Sequence, residues 1–213
     1  MTIIIGLTGS IGMGKSTCGE MFTRLGVPVH EADEAVHEIL SEEGVGLQAI
    51  RSHFPYFEFP QIYSKKNKNG LRAIKRKELG ALVFGNDDLR ERLENILHPL
   101  VRENQQAFLR KHRGRDIVVL DIPLLFETGA DKNVDITGVV TAPAHIQRER
   151  VLARPDMTED KFQAILQRQM LDGEKRARAD HVIPTGLGHA KTMDAVKKIV
   201  GELRRTHNRY AIV

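Results

Sequence analysis

The stretch "GLTGSIGMGKST", residues 6–17, directly follows the apolar run Ile3-Ile4-Ile5. Glycine loses more conformational freedom on folding than any other residue. Gly9, Gly12 and Gly14 crowded together therefore call for backbone paths or close approaches that side chains forbid. Residues 9–16 match G-x-x-x-x-G-K-[ST] at every fixed position. The order implied is a strand, a loop and a helix that begins at the lysine. Backbone N–H groups of the loop and of the helix N-terminus then converge on an anion, helped by the helix dipole. On this reading Gly9, Ser10, Ile11, Gly12, Met13, Gly14, Lys15, Ser16 and Thr17 cradle the phosphates of a nucleoside triphosphate. Lys15 bridges the β- and γ-phosphates, and the Ser16 hydroxyl can ligate the accompanying Mg²⁺. A dinucleotide-binding loop fits less well. It would need Gly or Ala where Thr17 stands, and an acidic residue at the usual spacing after the second strand.

Further along the chain, short apolar runs at 3–7, 28–30, 117–120, 136–140 and 181–183 lack clean alternation, as strands buried on both faces of a parallel sheet do. Helical patterns lie between them at 15–25, 33–40, 75–84, 87–112, 144–153, 159–178 and 190–204. Alternation of this kind predicts a doubly wound α/β fold, a five-stranded parallel sheet flanked by helices with right-handed crossovers. Residues 1–213 form one domain on this reading. The stretch from about 42 to 114 is too long for a single crossover and is expected to form an inserted helical lobe. The segment 64–70, rich in Gly, Asn and Lys, is the expected mobile loop.

Bulk properties narrow the partners. With 41% hydrophobic and 28% charged residues the chain has the composition of an ordinary soluble globular protein. A net charge of +4 and a pI near 9.2 suit anionic ligands. Aromatic residues are only 5% and Trp is absent, so no stacking platform for nucleic acid is expected. The basic run that begins at Lys65 and continues through Lys77 then reads as a solvated loop and a charged helix face. No apolar run reaches membrane-spanning length, and the N-terminus carries no leader pattern. Cys18 is the single cysteine, which favours a reducing cytoplasm and leaves no internal disulfide. Oligomeric state is not legible.

A phosphate loop alone means a nucleoside triphosphate. A guanine-nucleotide switch needs D-x-x-G after the third strand, whereas this chain has Asp121-Ile122-Pro123-Leu124. It also needs N-K-x-D, and Asn67-Lys68-Asn69 is followed by Gly70. A motor-type ATPase would carry a carboxylate pair where Asp121-Ile122 stands. A small-molecule kinase remains, and it requires a carboxylate near the acceptor hydroxyl, cations around the moving phosphoryl group and a cover that excludes water. Asp33, just after the second strand, is the carboxylate candidate, with a helix N-cap as its plainer use. Asp121 ends the third strand, where it can hold Mg²⁺ through water or simply satisfy a turn. "QRERVLARPDMTED", residues 147–160, reads either as a hinged lid at about 148–160 or as a solvated basic helix. Arg150 and Arg154, four apart, are expected on one helix face before Pro155 breaks the helix.

These residues together resemble the dephospho-coenzyme A kinase family over nearly the whole chain. The resemblance rests on the phosphate loop, "EADEAVHE" at 31–38, "KRKELGALVF" at 75–84, "LENILHPLV" at 93–101 and "DIPLLFE" at 121–127. It continues through Gln147, Arg150 and Arg154 of the lid and "KRARADHVI" at 175–183. It implies ATP-dependent phosphorylation of the ribose 3′-hydroxyl of dephospho-coenzyme A, the last step of coenzyme A biosynthesis. Asp33 would then orient or deprotonate that hydroxyl, while Lys15, Arg150 and Arg154 stabilise charge on the phosphoryl group. His98 and Pro99 of the lobe, with Leu124, Leu125 and Glu127 of the segment after the third strand, would hold the acceptor. His98 beside a proline can equally be a helix-kink residue. Three positions depart from the family pattern: Glu31 replaces the first Asp of D-A-D, Pro155 precedes Asp156 after the lid arginine, and Pro184-Thr185-Gly186 stands where an asparagine near the adenine is common. A kinase for another small hydroxyl acceptor, or a nucleotide-dependent binding module, is the alternative.

Overall fold

The computed structural model describes residues 2–41, 44–67, 70 and 72–210, the last four by backbone alone. The chain divides into two units, residues 1–31 with 109–213, and residues 32–108.

The first unit carries the sheet. Strands β1 (Ile3–Thr8), β2 (Val29–Glu31), β3 (Ile117–Asp121), β4 (Ile136–Thr141) and β5 (His181–Pro184) pair in parallel in the order β2-β3-β1-β4-β5. All five residues of β3 are buried, as expected of a strand covered on both faces. Helices α1 (Lys15–Arg24) and α9 (His189–Tyr210) supply Met21, Phe22, Val196, Ile199 and Val200 to one core, which meets Ile5 and Leu7 of β1. Gly6 lies between those two residues and faces the other side. A Cβ there would come within 3.1 Å of the Leu125 side chain, so glycine lets Leu125 lie flush on the sheet. Leu125, Phe126 and Val139 form that second core.

Because the strands are parallel, Thr8, Glu31, Asp121, Thr141 and Pro184 all end at one edge of the sheet. The connection leaving β1 leads toward β2, and that leaving β4 leads toward β5. The carboxyl edge of the β1–β4 pair is thus a topological switch point, where open α/β sheets bind ligands.

Beyond β4 run α6 (Ala144–Leu152), α7 (Glu159–Leu166) and α8 (Asp172–Arg178). The sequence pattern predicts one helix over 159–178, but the chain leaves helical geometry between Leu166 and Asp172. No proline or glycine forces the break at 167–171; long-range hydrogen bonds described below do.

The second unit contains α2 (Ala32–Ile39), α3 (Gly46–His53), α4 (Arg76–Phe84) and most of α5 (Asp87–Lys111). Its core joins Leu47, Ile50, Phe54, Phe59, Ile62, Tyr63, Leu79 and Ile96. The Tyr63 hydroxyl donates to the Phe54 carbonyl at 2.5 Å, which removes the cost of burying a phenol. Tyr63 and Ile74 form an antiparallel bridge. Lys68 and Asn69 of the expected mobile loop, and therefore part of the basic run, lie outside the described residues, as do Glu42 and Glu43. Among the described residues no helix is long and apolar enough to cross a membrane.

Candidate active site

The phosphate loop leaves β1 after Thr8 and enters α1 at Lys15, with Gly14 at the N-cap. Two glycines explain themselves locally. A Cβ on Gly9 would lie 2.3 Å from Val140 Cγ2 of β4, so only glycine lets the loop cross that strand. Gly12 has φ +77°, and a Cβ there would meet Val151 Cγ2 at 2.5 Å and the Gln147 carbonyl at 3.0 Å. The glycine spacing thus serves the packing of β4 and α6 on the loop as well as any phosphate.

Lys15 emerges from the loop and its ammonium pairs with the Asp121 carboxylate at the end of β3. Asp121 is buried, and Leu7 and Glu31 are its register partners on the two neighbouring strands. Ser16 is exposed at the second position of α1, and Thr17 is half-buried behind it. Cys18 lies on the buried face of α1. Burial, with a smaller contribution from the charge of Asp121, pushes its thiol up to about 12, so it stays protonated and takes no part as a nucleophile.

The loop backbone is held from outside by four side chains. Gln147 Nε2 donates to the Ile11 carbonyl at 2.8 Å, and the Ile11 N–H donates to Gln169 Oε1 at 3.1 Å. The Thr185 hydroxyl donates to the Met13 carbonyl at 2.6 Å and accepts from Arg150 Nη1 at 3.1 Å. Arg150 also donates to the Thr185 carbonyl at 2.8 Å and lies 3.4 Å from the Gly12 carbonyl. Thr185, noted as a departure in the sequence, therefore joins β5, the loop and α6.

The sequence expectation for the two arginines needs correction. Helix α6 ends at Leu152, two residues short of Arg154, because the residue before a proline is disfavoured in helical geometry. Arg150 and Arg154 do not share a helix face: Arg150 is drawn onto the loop and Arg154 is exposed. Arg148 points elsewhere, pairing with Glu159 at 2.8 Å and so tying α6 to the start of α7. Thr158 caps α7 by accepting from the Lys161 N–H at 3.3 Å.

The segment after β3 divides by burial. Leu124 is 38% exposed, whereas Leu125 is fully buried in the core against Gly6. Its side chain is thus a core group and not one that faces an acceptor. The Glu127 carboxylate is engaged inside the fold, accepting from the Met170 N–H at 2.8 Å and pairing with the buried Lys175 ammonium at 2.8 Å. Burial alone would raise the Glu127 carboxyl, but the hydrogen bonds from Lys175 and the Met170 amide hold it below the usual carboxylate range.

In the second unit, Asp33 sits in the first turn of α2 with its side chain exposed, so it lies inside the helix and not at its N-cap. His98 and Pro99 lie exposed within α5, which runs through Pro99 without a break. Gln169 and the roles of Lys175 and Thr185 escaped the sequence reading. Their partners are distant along the chain, and nothing local marks them.

The family model for dephospho-CoA kinase matches residues 3–188. The chain is 48% identical over 206 residues to a dephospho-CoA kinase of Novosphingobium aromaticivorans, covering 97% of each chain. It is 50% identical over 204 residues to one of Mesorhizobium japonicum, covering 95% of this chain and 97% of the relative. Among solved structures it resembles the dephospho-CoA kinase of Campylobacter jejuni, with TM-score 0.66 and 29% identity, covering 97% of this chain and 99% of that one. A protein of Thermus thermophilus matches with TM-score 0.76 and 30% identity over 95% of this chain and 98% of its own. With a phosphate loop at the switch point of a parallel sheet and a family match over most of its length, the chain belongs to the dephospho-CoA kinase family.

Proposed function

We propose that this chain transfers the γ-phosphoryl group of ATP to the ribose 3′-hydroxyl of dephospho-coenzyme A, giving coenzyme A and ADP. The observation that carries the reading is the family match over residues 3–188, within which the phosphate loop lies at the carboxyl edge of the sheet. The acceptor oxygen attacks the γ-phosphorus, and the bond from that phosphorus to the β–γ bridging oxygen breaks. ADP leaves with the electron pair, and the hydroxyl proton passes to Asp33. Support for Asp33 is its exposed carboxylate two residues beyond β2.

Loop amides and Lys15 neutralise charge on the β- and γ-phosphates. Arg150 joins them from α6, held at the loop by its bonds to Thr185 and Gly12, and Arg154 adds its charge from the lid loop. Lid segment 148–160 excludes water, which would otherwise compete as acceptor. His98, Pro99 and Leu124 bind the acceptor, and Leu125 and Glu127 hold the Leu124 segment from within the fold.

The donor set fits Mg²⁺. Ser16 offers a hydroxyl and Asp121 a carboxylate that can act through a bound water, both hard oxygen groups, and among the described residues no group of three His, Cys, Asp or Glu forms a protein cage. That arrangement suits a cation that keeps its waters and takes further ligands from phosphate. Mg²⁺ held there would neutralise charge on the phosphates. We place the enzyme in the reducing cytoplasm, where the buried Cys18 thiol needs no partner.

The test is ADP release across a panel of hydroxyl acceptors, with the product position assigned by phosphorus NMR. Release with dephospho-coenzyme A and a new 3′-monophosphate is expected. Background release with it, alongside turnover of a nucleotide or sugar acid, would overturn the assignment.

A further inference from the structure

Ile11 has both of its backbone hydrogen-bonding groups occupied by glutamine side chains from the two ends of the lid region. Gln147 lies in α6, before the lid loop, and is 6% exposed. Gln169 lies three residues past the end of α7, beyond the lid. A carbonyl can only accept and an amide N–H can only donate, so the two side chains meet Ile11 with opposite ends. Gln147 presents its NH₂ at 2.8 Å and Gln169 its oxygen at 3.1 Å.

Gln169 is itself held in place. Its neighbour Met170 donates from the backbone to Glu127 Oε1, the oxygen that also pairs with Lys175 at 2.8 Å. Lys175 is completely buried. These interactions keep the chain from resuming a helix before Asp172 and aim residue 169 at the loop, 158 positions away. At the other end, α6 packs so closely on Gly12 that a single added carbon would clash with Val151 and the Gln147 carbonyl.

The geometry points to Gln147 and Gln169 as a paired clamp on Ile11, positioning residues that set the phosphate loop and couple it to the lid. They touch no reacting atom. Their effect is to fix a loop whose other amides must face the phosphates before binding, so that little is lost in ordering it. Gln169 also withdraws the Ile11 N–H from the set available to phosphate and so sets one limit of the anion cradle. The inference rests on the proposed ATP-binding role of this loop, not on the identity of the acceptor.

The opposed polarity supplies the test. Glutamate keeps an acceptor at 169 but puts a carboxylate against a carbonyl at 147. Both substitutions add one negative charge beside the same residue, so the cost of that charge near ATP largely cancels between them. Affinity for a fluorescent ATP analogue, measured without acceptor, is expected to be about tenfold weaker in Gln147→Glu than in Gln169→Glu, the size expected of one hydrogen bond made or lost. Gln147→Met and Gln169→Met should each raise KM for ATP by about three- to tenfold, with KM for the acceptor and Tm unchanged. Equal affinities in the two glutamate variants, or methionine variants with wild-type KM for ATP, would overturn the clamp. If a methionine variant fails to fold, the glutamate comparison decides alone. Absence of turnover with dephospho-coenzyme A in the wild type would instead count against the proposed acceptor and leave the binding comparison intact.

Discussion

Around the phosphate loop, order comes from directional polar interactions; in the unit at residues 32–108 it comes from apolar packing. The loop carbonyls of Ile11, Gly12 and Met13 are met by Gln147, Arg150 and Thr185. The helical unit is instead held by Phe54, Ile62, Leu79 and their neighbours, with the Phe54 and Phe59 rings 5.4 Å apart. Its candidate acceptor residues, Asp33, His98 and Pro99, all lie exposed on helices. Polyphosphate charge is localised and needs fixed dipoles, whereas a long acceptor needs exposed helix faces on a stable support. Substitutions in the first region should therefore alter kinetics with little loss of stability, and core substitutions in the second should do the reverse.

The largest expected effect is at Lys15. Lys15→Ala should lower kcat/KM by about 10³-fold, the scale of losing a principal charge-stabilising group, with only a modest fall in Tm, since Lys15 is not fully buried and the buried Asp121 keeps another interaction. A comparable fall in Tm would mean that its pairing with Asp121 is a structural strut and would break the contrast. Phe54→Ala should cost about 3–5 kcal/mol of stability, read by urea unfolding, with affinity for an ATP analogue retained under folding conditions. Loss of that affinity in the folded variant would break the contrast from the other side.

Lys175→Met sharpens it, because this pair is a polar interaction that acts through stability. Removing one partner of a buried pair costs about 3 kcal/mol. The pH sign follows from the lowered Glu127 carboxyl. Its contribution is full above the unfolded value of about 4.3 and is lost as pH falls through the lower folded value. Wild-type stability should therefore fall on acidification through that window, and the variant should lose less. Parallel acid profiles would show that Glu127 draws nothing from Lys175.

What was legible in the sequence was what is local. The Gly9–Ser16 spacing, the buried strand runs and Asp121 at a strand end all declare themselves within a few residues. The break between α7 and α8 did not, because 167–171 carry no helix breaker and the interruption is imposed by Ile11 and Glu127 far along the chain. The difference at Arg154 has another cause: helical spacing predicts a shared face up to the residue before Pro155, but the helix ends at Leu152. Leu125 and Glu127 sit in a stretch whose spacing cannot tell a core face from a binding face, and burial separated them from Leu124.

The central claim, that a donor site organised around the loop works with an acceptor carboxylate at Asp33, is tested most directly by Asp33→Asn. Its turnover with dephospho-coenzyme A and its affinity for an ATP analogue should be measured side by side. The account predicts a fall in kcat of about 10²-fold or more, the range for a lost general base, with affinity for the analogue within about twofold of wild type. Near-normal turnover, or a parallel loss of ATP binding, would contradict it.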